Sequence, residues 1–524
     1  MSGASPAHPH SNRAYIVNIV WSWLSIALIL LCGVIFVPIL IRRLGAATYG
    51  IWLVATSLIE NLWMIDLGLR PATVKFTAEF RERGELDQLN RMLNTALAYS
   101  VLAGSVLLTV AWFAAGALAN LEGITDPNFP FLIRAVGVSW AVGLSFNMFA
   151  AVLEGFSRFD LSNRSTLVTT FLRTGLSVAF VLQGYGLREM GLALIFSQAV
   201  GYAMIYVYCV RIWPEMRLSP RHISGQMART LFGYARQVIP GIIGTRFSQG
   251  TLPSVIAYFT STAQVTYFTQ PQRLMDYVSE IIGRVGLVTA PRAAGMHARG
   301  EREQIVKLAR TANRYSVTLW GLFGCFLFVY GADFCRLWVD REFGDQVAPL
   351  LPIFVAGYTF WMGQFISAAV LMGVAHYTRY STALLIEAVM AVAAMALLLP
   401  VFGLTAGVAA VASLIAITRC GVLSYFFCAH FGISQSAYLT RIFGGPLLLI
   451  ACSIGAMLAW RQWFGPADGW MRLILSGAVF SVLYCLIAFR YVVSPEHRSW
   501  FLSRAGATLN RIRLRFRPLE EKPR

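Results

Sequence analysis

Apolar runs of about twenty residues recur along this chain, each long enough to cross a hydrocarbon core of roughly 30 Å as a helix. In lipid the backbone polar groups must be satisfied within the spanning structure, which leaves helices or closed barrels. Barrel strands would appear as short alternating segments, and these runs do not alternate. An all-α polytopic membrane protein is therefore predicted. Composition agrees, since only 13% of the 524 residues are charged, against about 25% in soluble domains.

Fourteen spans are predicted: 15–41, 49–67, 95–119, 131–154, 165–185 and 190–213, then 234–258, 265–283, 311–337, 347–372, 381–401 and 406–429, and finally 442–464 and 470–492. The second set of six repeats the first. Residues 83–96 recur at 299–312 without a gap, and six positions are identical: Arg83/Arg299, Gly84/Gly300, Glu85/Glu301, Gln88/Gln304, Thr95/Thr311 and Ala96/Ala312. The same 216-residue offset maps the first six spans onto the next six within a few residues, as structural repeats should. An even number of spans per half makes the repeats parallel. The predicted organisation is a tail at 1–14, an N-lobe at 15–213, a linker at 214–233, a C-lobe at 234–429, two further spans within 430–493 and a basic tail at 494–524. In both copies the repeated stretch reads as a short amphipathic elbow at the membrane surface, with Leu86, Leu89 and Leu93 on its apolar side.

With both termini in the cytosol, 31 of the 43 Lys and Arg fall on the cytosolic side and seven on the other. That is the asymmetry the positive-inside rule requires. It also accounts for the net charge of +18 without nucleic acid as a partner. The basic tail reads first as a plain positive-inside anchor, with contact to anionic lipid as the alternative. The eight cysteines lie in or beside apolar runs, with neither metal-ligand spacing nor a disulfide framework. No catalytic signature is present, and the opposite-face loops are short. The expectation is a protein that is not an enzyme, with no catalytic residue and no metal ligand.

Charges inside spans are costly to insert, roughly 2.5–3.5 kcal/mol each, and mark cavities or partners. Span 8 carries Arg273, Asp276 and Glu280 on one helical face, extended by Gln270. Span 7 carries Arg246 and Gln249. Span 2 carries Glu60, Asn61 and Asp66. Since the repeat pairs spans 1 and 2 with 7 and 8, these four are expected to line a polar cavity. Arg246 and Arg273 would form its cationic site, because arginine's planar fork suits phosphate. In the alternative reading the arginines pair with Glu280, Asp276 or Glu60 and simply hold helices together. Glu60, Asp66, Asp276 and Glu280 are the candidates for a coupling ion or a gate. Arg173, Glu387 and Arg419 lie in other spans, where internal pairing is the expected role.

One region resembles a known family. It runs Arg43-Leu44-Gly45-Ala46-Ala47-Thr48-Tyr49-Gly50-Ile51-Trp52, then Asp66-Leu67-Gly68-Leu69 and Arg70-Pro71-Ala72. The pattern R-x-L-G-x-x-x-Y-G followed by D-L-G-L resembles the first two helices of Wzx-type polysaccharide repeat-unit flippases, relatives of MATE exporters and the lipid II flippase MurJ. The resemblance implies alternating access, with an undecaprenyl-diphosphate-linked oligosaccharide as substrate, in the bacterial inner membrane. It further implies an ion gradient, proton or sodium, with no other cofactor. Membrane lipids are expected partners, and a polysaccharide polymerase and glycosyltransferases are further candidates. Asp66 matches the family's D-x-G position, which implies a gate or helix-turn role. The second half has no D-L-G-L. A multidrug antiporter, a lipid II flippase or an assembly scaffold are the alternatives.

Overall fold

The computed structural model describes residues 12–62, 68–121, 124, 126–374, 378–499 and 503. Among them there is no strand. In chain order the helices are α1 (Asn12–Leu62), α2 (Leu69–Arg83), α3 (Leu86–Leu121), α4 (Phe129–Gly155), α5 (Phe159–Leu182), α6 (Leu187–Ile212), α7 (Gly225–Phe259) and α8 (Thr262–Ala298). Then come α9 (Arg302–Trp338), α10 (Arg341–Val347), α11 (Leu350–Met362), α12 (Phe365–Gly373), α13 (Thr378–Ala416), α14 (Leu423–Phe431), α15 (Gln435–Phe464) and α16 (Trp470–Ile487).

Among the described residues ten helical segments are long and apolar enough to cross a membrane. Two of them each carry two predicted spans. α1 takes in spans 1 and 2, broken by non-helical backbone at Gly45, and α13 with α14 takes in spans 11 and 12, broken at Gly403. Spans 7 and 8 fall on α7 and α8, 35 and 37 residues long, whose polar groups keep them from registering as crossings on apolarity alone. Span 10 is interrupted between α11 and α12. Large apolar side chains such as Phe113, Leu397 and Met471 stand exposed along these helices, as a lipid environment permits and water would not.

The chain packs into two compact units, one of residues 1–277, 338–354 and 377–418, the other of 278–337, 355–376 and 419–524. In the first, α3 packs on α4, α4 on α6, α5 on α6 and on α1, and α7 on α13. In the second, α15 packs on α14 and α16.

The repeated stretch corrects one expectation. It is not a separate elbow, since in each half it forms the first turns of a long helix, α3 and α9. Its glycine closes the helix before it. Gly84 takes φ 71° and Gly300 φ 74°, the left-handed conformation that glycine adopts at no steric cost. Gly84 N–H then donates to Arg81 C=O at 3.1 Å and Glu85 N–H to Phe80 C=O at 2.9 Å. At Gly300 the same bonds recur, to His297 at 3.0 Å and from Glu301 to Met296 at 3.0 Å. This is the Schellman ending of a helix, preserved at the 216-residue offset. Nothing after the glycine interrupts helix formation, so the charged turns run straight into the apolar span. Leu89 and Leu93 are fully buried against Met148, Val152 and Trp213, while Leu86 is exposed. The apolar face of the first copy therefore packs on protein.

That copy also holds the linker. Asn94 Nδ2 donates to Arg217 C=O at 2.7 Å, and Ser219 N–H donates to Asn94 Oδ1 at 2.9 Å. Asn90 Nδ2 donates to Glu215 C=O at 3.3 Å and its Oδ1 accepts from Arg217 N–H at 2.8 Å. Ser224 N–H donates to Thr95 Oγ1 at 3.1 Å. Both asparagines are buried, so a lost partner leaves backbone groups unpaired at about 1–3 kcal/mol each. Asn94→Ala is expected to lower the melting temperature and open the linker to trypsin at Arg217 and Arg221, and Asn94→Asp, which keeps the acceptor, to do so less. An unchanged digestion pattern in Asn94→Ala would count against this stitching.

Candidate functional site

The site begins at the corner inside α1. Gly45 sits at φ 81°, ψ 157°, a region essentially closed to residues with a side chain. The break separates α1 into two arms, and three contacts fix it. Arg42 donates to the carbonyls of Trp338, at 3.0 Å, and Val339. Thr266 Oγ1 donates to Ala46 C=O at 2.7 Å. At Gly50 the second arm approaches the start of α8 so closely that a Cβ would overlap the carbonyl oxygen of Thr262. The two glycines of the R-x-L-G-x-x-x-Y-G motif thus do different work, one bending the chain and one admitting a neighbour's backbone. Gly68 of D-L-G-L adopts φ 72° and starts α2. At the equivalent position in the second half stands Arg284, and α8 runs through unbroken. Arg70, which follows, pairs with Glu154 of α4 at 2.7 Å.

Between these two glycines' neighbours the corner directs Tyr49 inward. Tyr49 is 2% exposed and its phenol lies beside the side chains of Gln270 and Arg273. It lines a cavity of about 220 Å³ together with Cys32, Val37 and Trp52 of α1, Thr170, Arg173, Thr174 and Ser177 of α5, Met190 of α6, and Arg273 and Tyr277 of α8. Tyr277 is seated by Gly33, where a Cβ would collide with its hydroxyl. Among the described residues the charged ones lining this space are Arg173 and Arg273, with hydroxyls around them. Gln270 is 2% exposed, and its Nε2 has no hydrogen-bond partner among the described residues.

Two guanidinium groups and several hydroxyls thus surround one small space of low dielectric, where charge-assisted hydrogen bonds to an anion are strong. The volume lies below the roughly 300–1,000 Å³ of drug-sized ligand sites. It suits a compact anionic group. Among the described residues no cluster of His, Cys, Asp and Glu could hold a metal ion.

Of the residues singled out from sequence, Arg273 lines this cavity, and Gln270 lies beside Tyr49. Asp276 is half-buried and Glu280 exposed, and neither lines it. The side chains of Glu60, Asn61, Arg246 and Gln249, and all of Asp66, lie outside the described residues. The polar wall from α5 was not anticipated. Arg173, expected to pair internally, shares the cavity with Arg273. The available signal was the stripe Thr170, Arg173, Thr174, Ser177 at i, i+3, i+4 and i+7, one face of a helix. Arg419, by contrast, lies over the Trp361 ring at 4.9 Å, a structural cation–π contact.

Comparison with known proteins places these features. The family profile described as "Polysaccharide biosynthesis protein" matches residues 16–297. The chain is 22% identical over 501 residues to the "Uncharacterized membrane protein EpsK" of Bacillus subtilis (strain 168), covering 91% of this chain and 95% of that protein. It is 20% identical over 294 residues to the "Putative O-antigen transporter" of Shigella flexneri, covering 54% of this chain and 67% of that one. Among solved structures, the lipid II flippase MurJ in an inward closed conformation superposes with a TM-score of 0.67 at 13% identity, over 91% of this chain and 99% of that one. An inward-facing multidrug resistance MATE family transporter of the MOP superfamily gives 0.64 at 15% identity, over 80% and 98%. The fold is the helical one these transporters share, and with the profile matching more than half its length, the chain belongs to the polysaccharide biosynthesis protein family.

Proposed function

We propose that this protein is a flippase that moves an undecaprenyl-diphosphate-linked oligosaccharide across the bacterial inner membrane by alternating access, for surface polysaccharide synthesis. The observation that carries the reading is the small cavity whose described lining brings Arg173 and Arg273 together among hydroxyls. A diphosphate is a compact dianion that two guanidinium forks can hold. The cavity is too small for the sugar chain as well, so in this reading it grips the linkage. The relative described as a putative O-antigen transporter agrees with such a substrate. Export of organic cations, the activity suggested by the MATE resemblance, would set two arginines against a cation. Coupling to a proton or sodium gradient falls on the carboxylates Glu60, Asp66, Asp276 and Glu280, with Asp66 as a gate. In this reading, supported by the Lys and Arg asymmetry of the sequence, both termini face the cytosol, where a polymerase and glycosyltransferases would be the neighbouring machinery.

The test is complementation of a strain lacking the native copy. A hydrogen bond to a charged group is worth about 1.5–3 kcal/mol, so Arg173→Ala and Arg273→Ala should each reduce surface polysaccharide by about tenfold or more at wild-type protein levels. Lysine at either position should restore part of it, through charge without the fork. Normal polysaccharide from both alanine variants, well expressed, would sink the proposal.

A further inference from the structure

The second compact unit holds a larger basic cavity, of about 1010 Å³, formed where α8 ends, α9 and α15 begin, and the chain leaves α16. Five permanent cations line it: Arg292, Lys307, Arg310, Arg314 and Arg441. The opposing carboxylate in its lining is Glu496, which is three-quarters exposed and 3.6 Å from Lys307. Arg314 presents a buried Nε–H without a hydrogen-bond partner. Like charges gathered around one space repel each other unless an anion sits among them.

Beside it lies a second space of about 620 Å³, a groove between α9 and α16 lined by Leu319, Leu322, Cys485 and Phe489. Tyr315 and His497 line both spaces. They are joined there, Tyr315 Oη to His497 Nδ1 at 2.7 Å and to Ser494 Oγ at 3.2 Å. Along α9 the order is therefore cations first (Lys307, Arg310, Arg314), an amphipathic tyrosine, then leucines. From Arg310 to Leu322 the helix rises about 18 Å, close to half of a hydrocarbon core of roughly 30 Å. A charged head and an apolar chain in that order, over the depth of one leaflet, are the outline of a membrane phospholipid.

We propose that this is a binding site for an anionic phospholipid of the surrounding membrane, with its phosphate among Arg310, Arg314 and Arg441 and one acyl chain in the α9–α16 groove. The lipid is a resident one and not the transported substrate, whose proposed phosphate grip is the Arg173–Arg273 cavity.

Full-length protein, purified and stripped of lipid in detergent, would be titrated with phosphatidylglycerol, phosphatidylcholine, inorganic phosphate and undecaprenyl phosphate, with binding read by native mass spectrometry. Phosphatidylglycerol should bind about tenfold or more tightly than phosphatidylcholine, whose phosphate carries a choline cation that the surrounding arginines repel. Arg310→Gln with Arg314→Gln should erase that preference. Arg441→Gln, on a different helix, should weaken it and serves if the double variant does not fold. Leu319→Trp should weaken phosphatidylglycerol but not inorganic phosphate. Equal binding of the two phospholipids, or a preference untouched by both arginine variants, overturns the site. Inorganic phosphate that competes as well as the lipid makes it a free-anion site. Undecaprenyl phosphate that outcompetes phosphatidylglycerol returns the groove to the carrier lipid. Either of these also overturns the proposal.

Discussion

Gly50→Ala should leave almost no folded protein in the membrane. A Cβ at residue 50 would overlap the Thr262 carbonyl oxygen and stand 2.5 Å from its carbonyl carbon and 3.2 Å from its Cα. The obstacle is backbone, so no rotamer change relieves it. Ordinary overpacking costs about 1–3 kcal/mol, and this substitution must instead move the start of α8 away from the second arm of α1. The same movement would pull Thr266 from Ala46 and Tyr49 from Arg273, so any protein that did fold should have a disordered cavity. Gly116 in α3 is the control, since a Cβ there meets nothing within 4 Å, and Gly116→Ala should be neutral or stabilise by about 0.5–1 kcal/mol. Fluorescence-detected size-exclusion chromatography of tagged protein reads both. A monodisperse Gly50→Ala peak at wild-type yield and melting temperature would refute the close approach.

Asp333→Ala should be the most damaging change in the second unit that leaves the backbone alone. The Asp333 side chain is 2% exposed and accepts from Arg336 at 2.8 Å and from Arg461 at 3.0 Å. Arg461 also donates to Val329 C=O and so ties α15 to α9. Removing one member of a buried ion pair costs about 3–5 kcal/mol, because the partner charge is left uncompensated. Both arginines are about a third exposed and can recover some hydration, so the lower end is expected. Asp333→Asn keeps the shape and one acceptor and should cost less. Combining Asp333→Ala with Arg461→Ala should recover part of the loss, which a double-mutant cycle measures. If Asp333→Ala melted within about 1 °C of wild type, a shift worth roughly 1 kcal/mol for a chain of this length, the pair would be shown to hold little.

Much of this architecture was legible in the residues. Apolar length and the 216-residue echo gave an all-α membrane fold with internal repetition, and the echo survives as matching helix endings at Gly84 and Gly300. The motif glycines were legible as a family signature, and the positive φ at 45 and 68 explains the preference for glycine there. What the sequence hid was convergence. Arg173 belongs to a polar stripe on α5, and only the packing of α5 on α1 brings that stripe to the cavity that Arg273 also lines. Asn90 and Asn94 are polar, yet they are buried where a distant loop folds over them. The apolar side of residues 83–96 pointed to a membrane surface, whereas it meets α4 and the end of α6. Periodicity tells which face is apolar and says nothing of what covers it.

The stitched linker bears on how the gene for this protein could be cut. Splitting a duplicated protein into two co-expressed fragments ordinarily takes the joint between the copies as the scissor point, because exposed connections tolerate interruption. Here that joint supplies Glu215, Arg217, Ser219 and Ser224 as ligands for the first copy's own helix. A break inside 215–224 would fray the N-terminal fragment at the face it needs for assembly. A fragment boundary drawn at 225 or beyond keeps every stitch on one polypeptide, so the serviceable joint in this molecule lies after the apparent one.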